Sequence, residues 1–291
     1  MIPREVLKRI KALEIKTRQI VNTTFTGQYH SVFKGQGISF SEVREYQPGD
    51  EVRMIDWKVT ARTGKPHIKV FEEERELTVI LAVDLSASGT FGSQEKSKVQ
   101  IAAEIAAVLG FSANNNNDRV GLMLFSDEVE HYIPPKKGRD HIFRILRDIF
   151  YFEPKSKRTS IKNAMSFAQR VLKKKAIIFV ISDFVDAGYE QVMQTMARKH
   201  DLVPIIVEDP RELDIPKCGL VLFEDEETGE QIYLNTNSEE NRRAYHNIVL
   251  ARQLEQDRFF KSRKISAIRI NIGSSYLTPL TEYFKLRAKR F

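Results

Sequence analysis

Apolar positions follow two regimes along this chain. From Leu77 onward, short unbroken apolar runs alternate with stretches whose apolar residues recur at helical spacing. LTVILAVD (77–84), RVGLMLFSD (119–127), AIIFVISD (176–183) and LVPIIVED (202–209) read as strands covered on both faces, because a strand with one wet face would alternate apolar with polar. EVEHYIPP (128–135) is a shorter strand closed by prolines, and KISAIRINI (264–272) is a last one. Within KSKVQIAAEIAAVLGFSA (96–113), Val99, Ala102, Ala103, Ile105, Ala106 and Leu109 form a helical stripe. Asn114 to Asn117 then end that helix with residues that tolerate left-handed turns. Further helices are predicted over 138–150, 160–173, 188–198, 238–263 and 276–289, with an acidic hairpin over 219–234. Strands alternating with helices imply right-handed crossovers. The expected fold is therefore α/β, a doubly wound, mainly parallel and Rossmann-like sheet.

The first seventy-six residues read differently. An amphipathic helix (about 3–18) leads into a stretch rich in Thr, Val, Phe and Gly, with turn pairs at Pro48-Gly49-Asp50 and Thr63-Gly64. That pattern predicts short strands and tight turns. With few long apolar runs, residues 1–76 are expected to pack on a main domain of 77–291 rather than to fold alone.

Composition narrows the picture. At 291 residues, 42% apolar and 29% charged, the chain has the make-up of a soluble globular protein with a sizeable core. One cysteine, Cys218, excludes an intrachain disulfide and any CxxC-type site. The opening MIPREVLKRIKALEIK carries charge throughout, unlike a signal peptide, and no apolar run approaches the ~20 residues that span a bilayer. A cytoplasmic protein is the expectation. The net charge of +7 is spread over groups at Lys136–Arg139, Lys155–Arg158, Lys173–Lys175 and Lys285–Arg290. Each is interleaved with acids or sits at a predicted helix end, so no single basic face results and nucleic acid is not an expected partner. The first two groups flank loops at one end of the predicted sheet, where an acidic partner could dock.

Ligands of open α/β sheets bind beyond the carboxyl ends of the strands. Those positions hold Asp84-Leu85-Ser86-Ala87-Ser88, Ser126-Asp127 and Ser182-Asp183, and the loop before the 160–173 helix adds Thr159 and Ser160. Hydroxyls and carboxylates without thiol or imidazole select hard cations such as Mg²⁺, Mn²⁺ or Ca²⁺. Two serines spaced i, i+2 in a turn can face one ion, with aspartates holding its water ligands. A turn with a helix cap uses the same residue types, so both readings stand for a bare DxSxS string.

The order of these residues resembles the metal-ion-dependent adhesion site of the von Willebrand factor A domain. The resemblance implies that Asp84, Ser86 and Ser88 form its first cluster, that Thr159 is a direct hydroxyl ligand and that Asp183 is a water-linked carboxylate. Loops of that family usually read Gly-Gly-Thr-Asp, where this chain has Lys157-Arg158-Thr159-Ser160. Residues 35–75, with Phe40, Arg44, Glu45, Tyr46, Gly49, Asp50, Arg53, Asp56, Trp57, Ala61 and Arg62 at their core, resemble the signature of the DUF58 family of bacterial proteins. So does the Glu227-Thr228-Gly229 hairpin.

That second resemblance implies an adaptor working with a MoxR-type AAA+ ATPase in a chaperone-like stress or maturation system, with a place peripheral to a membrane complex left open. Mg²⁺, or Mn²⁺ or Ca²⁺, is the implied cofactor, with its occupancy in the absence of a partner left open. Arg44, Tyr46, Arg53, Trp57, Arg62, Lys157 and Arg158 are the candidate partner-binding residues, set against a structural role for the signature's Arg and Asp pairs.

Catalytic patterns are missing from the sequence. His30, His67, His131, His141, His200 and His246 are scattered, and there is no HExxH, GxSxG or phosphate-binding P-loop. A non-enzymatic interaction module is thus the expectation, ahead of a metal-dependent hydrolase of unknown substrate and a nucleic-acid-binding protein.

Overall fold

In the computed structural model, residues 12–15, 17, 29, 37–74, 76–90, 96–224, 227 and 229–289 are described. Its contacts divide the chain into two units, residues 33–77 on one hand and residues 1–32 with 78–291 on the other. Of the helix expected over 3–18, residues 12–15 and 17 are helical and the remainder lies outside the described residues.

The 33–77 unit is a hairpin closed by a short helix. Strand β1 (Gly37–Glu45) pairs antiparallel with β2 (His67–Glu74), and a bulge between Phe40 and Glu42 shifts the register. Between them, Trp57–Thr63 forms helix α1, where the composition had suggested only strands and turns. Asp56 explains the difference. Its carboxylate accepts from the backbone N–H of Lys58 and of Val59, and Gly64 ends the helix in a left-handed conformation (φ 73°).

The larger unit carries a six-stranded sheet. Its strands are β3 (Thr78–Asp84), β4 (Arg119–Phe125), β5 (Val129–Lys136), β6 (Ile177–Ser182), β7 (Asp201–Glu208) and, after an inserted hairpin of β8 (Leu220–Glu224) and β9 (Gln231–Asn235), β10 (Ile268–Asn271). Spatial order is β5-β4-β3-β6-β7-β10, and every pairing is parallel except β4 with β5. Numbered within the sheet this is 3-2-1-4-5-6, the doubly wound order, with the antiparallel strand at one edge. The fold expected from the apolar runs is the one observed.

Helices α2 (Lys98–Asn115), α3 (Arg139–Tyr151), α4 (Ile161–Val171), α5 (Glu190–Lys199), α6 (Pro210–Leu213), α7 (Glu239–Ser262) and α8 (Leu277–Ala288) link the strands. Ile80, Ala82, Met123, Phe125, Ile178 and Val180 point to one face, where α4, α5 and Phe260 of α7 cover them. Leu81 points to the other face, against α2, whose residues from Ile101 to Ala113 are all buried. This two-sided cover is why the strand sequences are apolar throughout. Ser97 and Gln100 form a capping box at the start of α2, and Asn117 leaves its end with φ 63°. The last strand begins at Ile268 rather than at 264, since Lys264 takes a left-handed φ of 57° that strand geometry forbids.

Candidate functional site

Strand order in the sheet reverses between β3 and β6, the crevice where doubly wound folds bind ligands. Both strands end there in an aspartate. Asp84 is the last residue of β3 and is buried; Asp183 follows β6 and is buried as well. One Asp84 oxygen accepts the Ser182 hydroxyl at 2.6 Å and the other accepts the Ser86 N–H at 2.9 Å. The Ser86 and Ser88 hydroxyls meet at 2.9 Å in the turn beyond.

Asp183 accepts from Val185 N–H at 3.1 Å and, through its second oxygen, from the Lys98 ammonium at 3.0 Å. Phe184, between them, adopts φ 58°, an uncommon conformation for a bulky residue. The Ser182 hydroxyl accepts its N–H, and Gln256 donates to its carbonyl at 2.8 Å. These bonds hold the reversal that turns Asp183 inward beside Asp84.

Lys98, the first residue of α2, reaches the same spot and also donates to Glu212 of α6 at 2.5 Å. Its side chain is 4% exposed, as is that of Asp183. Burial alone would lower the Lys98 pKa, but Asp183 and Glu212 together raise it, so the ammonium stays charged. Asp84 is pushed up to about 7, first by burial and then by the charge of Asp183. Lys98 thus serves both Asp183 and Glu212, while Asp84, beside Asp183, has no ion-pair partner among the described residues. The arrangement is short of positive charge. A cavity of about 20 Å³ opens between Asp84, Ser88, Lys98, Ser182 and Asp183, roughly the room for one water-sized species.

The loop before α4 lies against this turn, with Ala87 N–H donating to the Lys157 carbonyl at 3.0 Å and Ser160 N–H to the Ser126 carbonyl at 2.8 Å. Ser160 caps α4, accepting from Asn163 N–H, while Asp186 accepts the N–H of Ile161. Thr159 is turned to the β8–β9 hairpin, where its N–H and hydroxyl donate to the two oxygens of Glu227 at 3.1 and 2.7 Å. Lys157 and Arg158 are exposed on the same loop. So Asp84, Ser86, Ser88 and Asp183 are gathered at one crevice, and Thr159 is brought alongside with its hydroxyl engaged by Glu227.

The remaining predicted residues belong to the 33–77 unit. Arg44 makes a two-pronged contact with Asp50 at 2.7 and 2.8 Å, which holds the Asp50 carboxyl below its ordinary range. Asp56 caps α1 and lies 3.5 Å from Lys69. Tyr46 is half-buried; Arg53, Arg62 and Trp57 are exposed, the last by 68%. Part of the signature therefore holds its own unit together, and part faces outward.

Sequence reasoning missed Lys98, Glu212 and Glu227. No local pattern marks the first two, because Lys98 meets Asp183 and Glu212 across 85 and 114 residues. Glu227 did carry a signal, the Glu-Thr-Gly string, but no chemistry was attached to it.

A model for "Protein of unknown function DUF58" matches residues 42–255, nearly three quarters of the chain. The chain belongs to the DUF58 family. Among curated proteins it is 31% identical over 223 residues to the uncharacterized protein Rv1480 of Mycobacterium tuberculosis, covering 76% of this chain and 70% of that protein. It is 29% identical over 109 residues to the uncharacterized protein YeaD of Bacillus subtilis, which covers 38% and 25%. Among solved structures it is similar to an aerotolerance-related membrane protein from Bacteroides fragilis, at 17% identity over 74% of this chain and 100% of that one, with a TM-score of 0.49. The SpRpn10 VWA domain aligns at 12% identity over 72% of this chain and 95% of that one, with a TM-score of 0.38. Among the described residues, no helix of this DUF58 chain is long and apolar enough to cross a membrane.

Proposed function

We propose that this DUF58 chain is a protein-interaction module that docks its partner through a divalent cation at the β3/β6 crevice. The observation that carries the reading is the buried Asp84 carboxyl, without an ion-pair partner among the described residues and beside Asp183, next to two adjoining hydroxyls. The donor set fits a hard cation, since every free ligand is oxygen. Ser86, Ser88 and Thr159 would hold it, with Asp84 and Asp183 behind them. The cation, Mg²⁺ in the first instance, would supply a Lewis-acidic docking point for a carboxylate on the partner.

This chain's own residues supply the rest. Asp84 tethers the turn through Ser86, and the Ser182 hydroxyl fixes its orientation. Lys98 pairs with the buried Asp183, and exposed Lys157 and Arg158 draw an acidic partner toward the crevice. Exposed Trp57, Arg53 and Arg62, of residue types that dominate binding hot spots, offer a second contact face. The partner in this reading is a MoxR-type AAA+ ATPase in the cytoplasm. Capture of that ATPase by the immobilised chain should fall at least tenfold in EDTA and on Ser86→Ala. Capture unchanged by both treatments would place docking elsewhere.

A further inference from the structure

The Glu227-Thr228-Gly229 string sits in the connection between β8 and β9, and Thr228 lies outside the described residues. The strands pair from Leu220 with Asn235 to Glu224 with Gln231, which puts Glu227 at the tip. Gly229 has φ 75°, a left-handed value that glycine adopts without strain and that returns the chain into β9. The hairpin's base is fixed. Thr236, fully buried, donates its hydroxyl to the Gly219 carbonyl and accepts Cys218 N–H. Phe223 packs near Tyr245 of α7, while Leu220, Ile232 and Tyr233 are each more than 60% exposed. The tip meets the loop before α4 through the paired bonds of Glu227 with Thr159.

Those two bonds settle where the Thr159 proton goes. At 2.7 Å the Thr159 hydroxyl donates to Oε1 of Glu227. With its single proton given to Glu227, the Thr159 oxygen keeps its lone pairs for a cation. The second bond, from the backbone N–H, fixes the carboxylate against the loop. The charge of Glu227 also falls next in space to the residue that follows Lys157 and Arg158, cations that would otherwise oppose a metal.

We propose that Glu227 is a positioning residue of the strand-end cation site, delivered by the hairpin, so that hairpin position and cation affinity are coupled. The inference rests on the metal-docking reading above.

Titration of the full chain with Mn²⁺ alone tests it, by calorimetry or by electron paramagnetic resonance, alongside hydrogen exchange at the Thr159 amide. Glu227→Ala should weaken Mn²⁺ roughly 10- to 100-fold, the usual cost of losing a group that orients a ligand. Glu227→Gln, which keeps an acceptor oxygen, should lose less. In the wild type, Mn²⁺ should slow exchange at the Thr159 amide, and in Glu227→Ala it should not. Metal-free melting of the Gln variant close to wild type shows that the fold is intact. Wild-type affinity in Glu227→Ala, with binding lost in Asp84→Ala, would overturn this inference alone and leave Glu227 a hairpin contact. A wild-type chain blind to Mn²⁺ would instead remove the metal reading, and this inference with it.

Discussion

Two charged networks in this DUF58 chain use the same residue types to opposite effect. In the 33–77 unit, Arg44 meets Asp50 and Asp56 meets Lys69 and two backbone N–H groups, so each acid has its base and solvent is near. At the β3/β6 crevice, Asp183 and Glu212 share the Lys98 ammonium, Asp84 has no ion-pair partner among the described residues, and Asp84, Asp183 and Lys98 are buried. The first network is balanced and screened; pairs of that kind contribute little to stability. The second is neither. In the proposed reading, that uncompensated carboxyl would receive positive charge, at some cost to the metal-free fold.

Removing the ammonium that Asp183 and Glu212 share should therefore have the largest effect on stability. Lys98→Met leaves Asp183 buried without its counter-charge, which costs about 3–5 kcal/mol for such pairs. Urea unfolding in EDTA reads that loss, and millimolar Mg²⁺ should restore part of it. A Lys98→Met chain as stable as wild type would break the contrast between the two networks.

The pH dependences should run in opposite directions. In metal-free protein the Asp84 pKa is raised, from an ordinary 3.8 to about 7, so its protonated form is favoured in the fold. Its contribution is complete below pH 3.8 and is lost as pH rises toward 7. Asp50 is held below its ordinary value by Arg44, so its contribution is present above that value and is lost as pH falls through the lowered one. Melting in EDTA between pH 4 and 8 should thus show a decline that Asp84→Asn flattens and that Asp50→Asn leaves in place.

Arg44→Ala should give the smallest change, a melting midpoint hard to separate from wild type at physiological salt, because its pair with Asp50 is half-exposed. A large drop there would mean that the signature's ion pairs do more for the fold than their exposure allows.

How much of this was legible in advance follows from the same physics. Strands such as Ile177–Ser182 are apolar at every position because helices cover both faces, and that continuity reads directly from the sequence. Asp84, Ser86, Ser88 and Asp183 were legible too, since a sheet of this order presents its strand ends at one edge. Helix α1 was not, because seven residues with β-branched Val59 and Thr60 carry too weak a periodicity; the signal was Asp56, a cap. Lys98 at a helix start reads as an ordinary solvated lysine until tertiary structure brings Asp183 and Glu212 to it. Glu227 and Thr159 are hidden for the same reason, since a hairpin insertion joins them and no periodic pattern does.

The central claim is that the crevice binds a divalent cation through Asp84 and its neighbours. Isothermal titration of Mg²⁺ into the EDTA-stripped chain, with Asp84→Ala in parallel, tests it most directly. A saturable one-to-one isotherm for wild type and a flat trace for Asp84→Ala is the predicted result. Flat traces for both proteins, or identical isotherms for both, would contradict it.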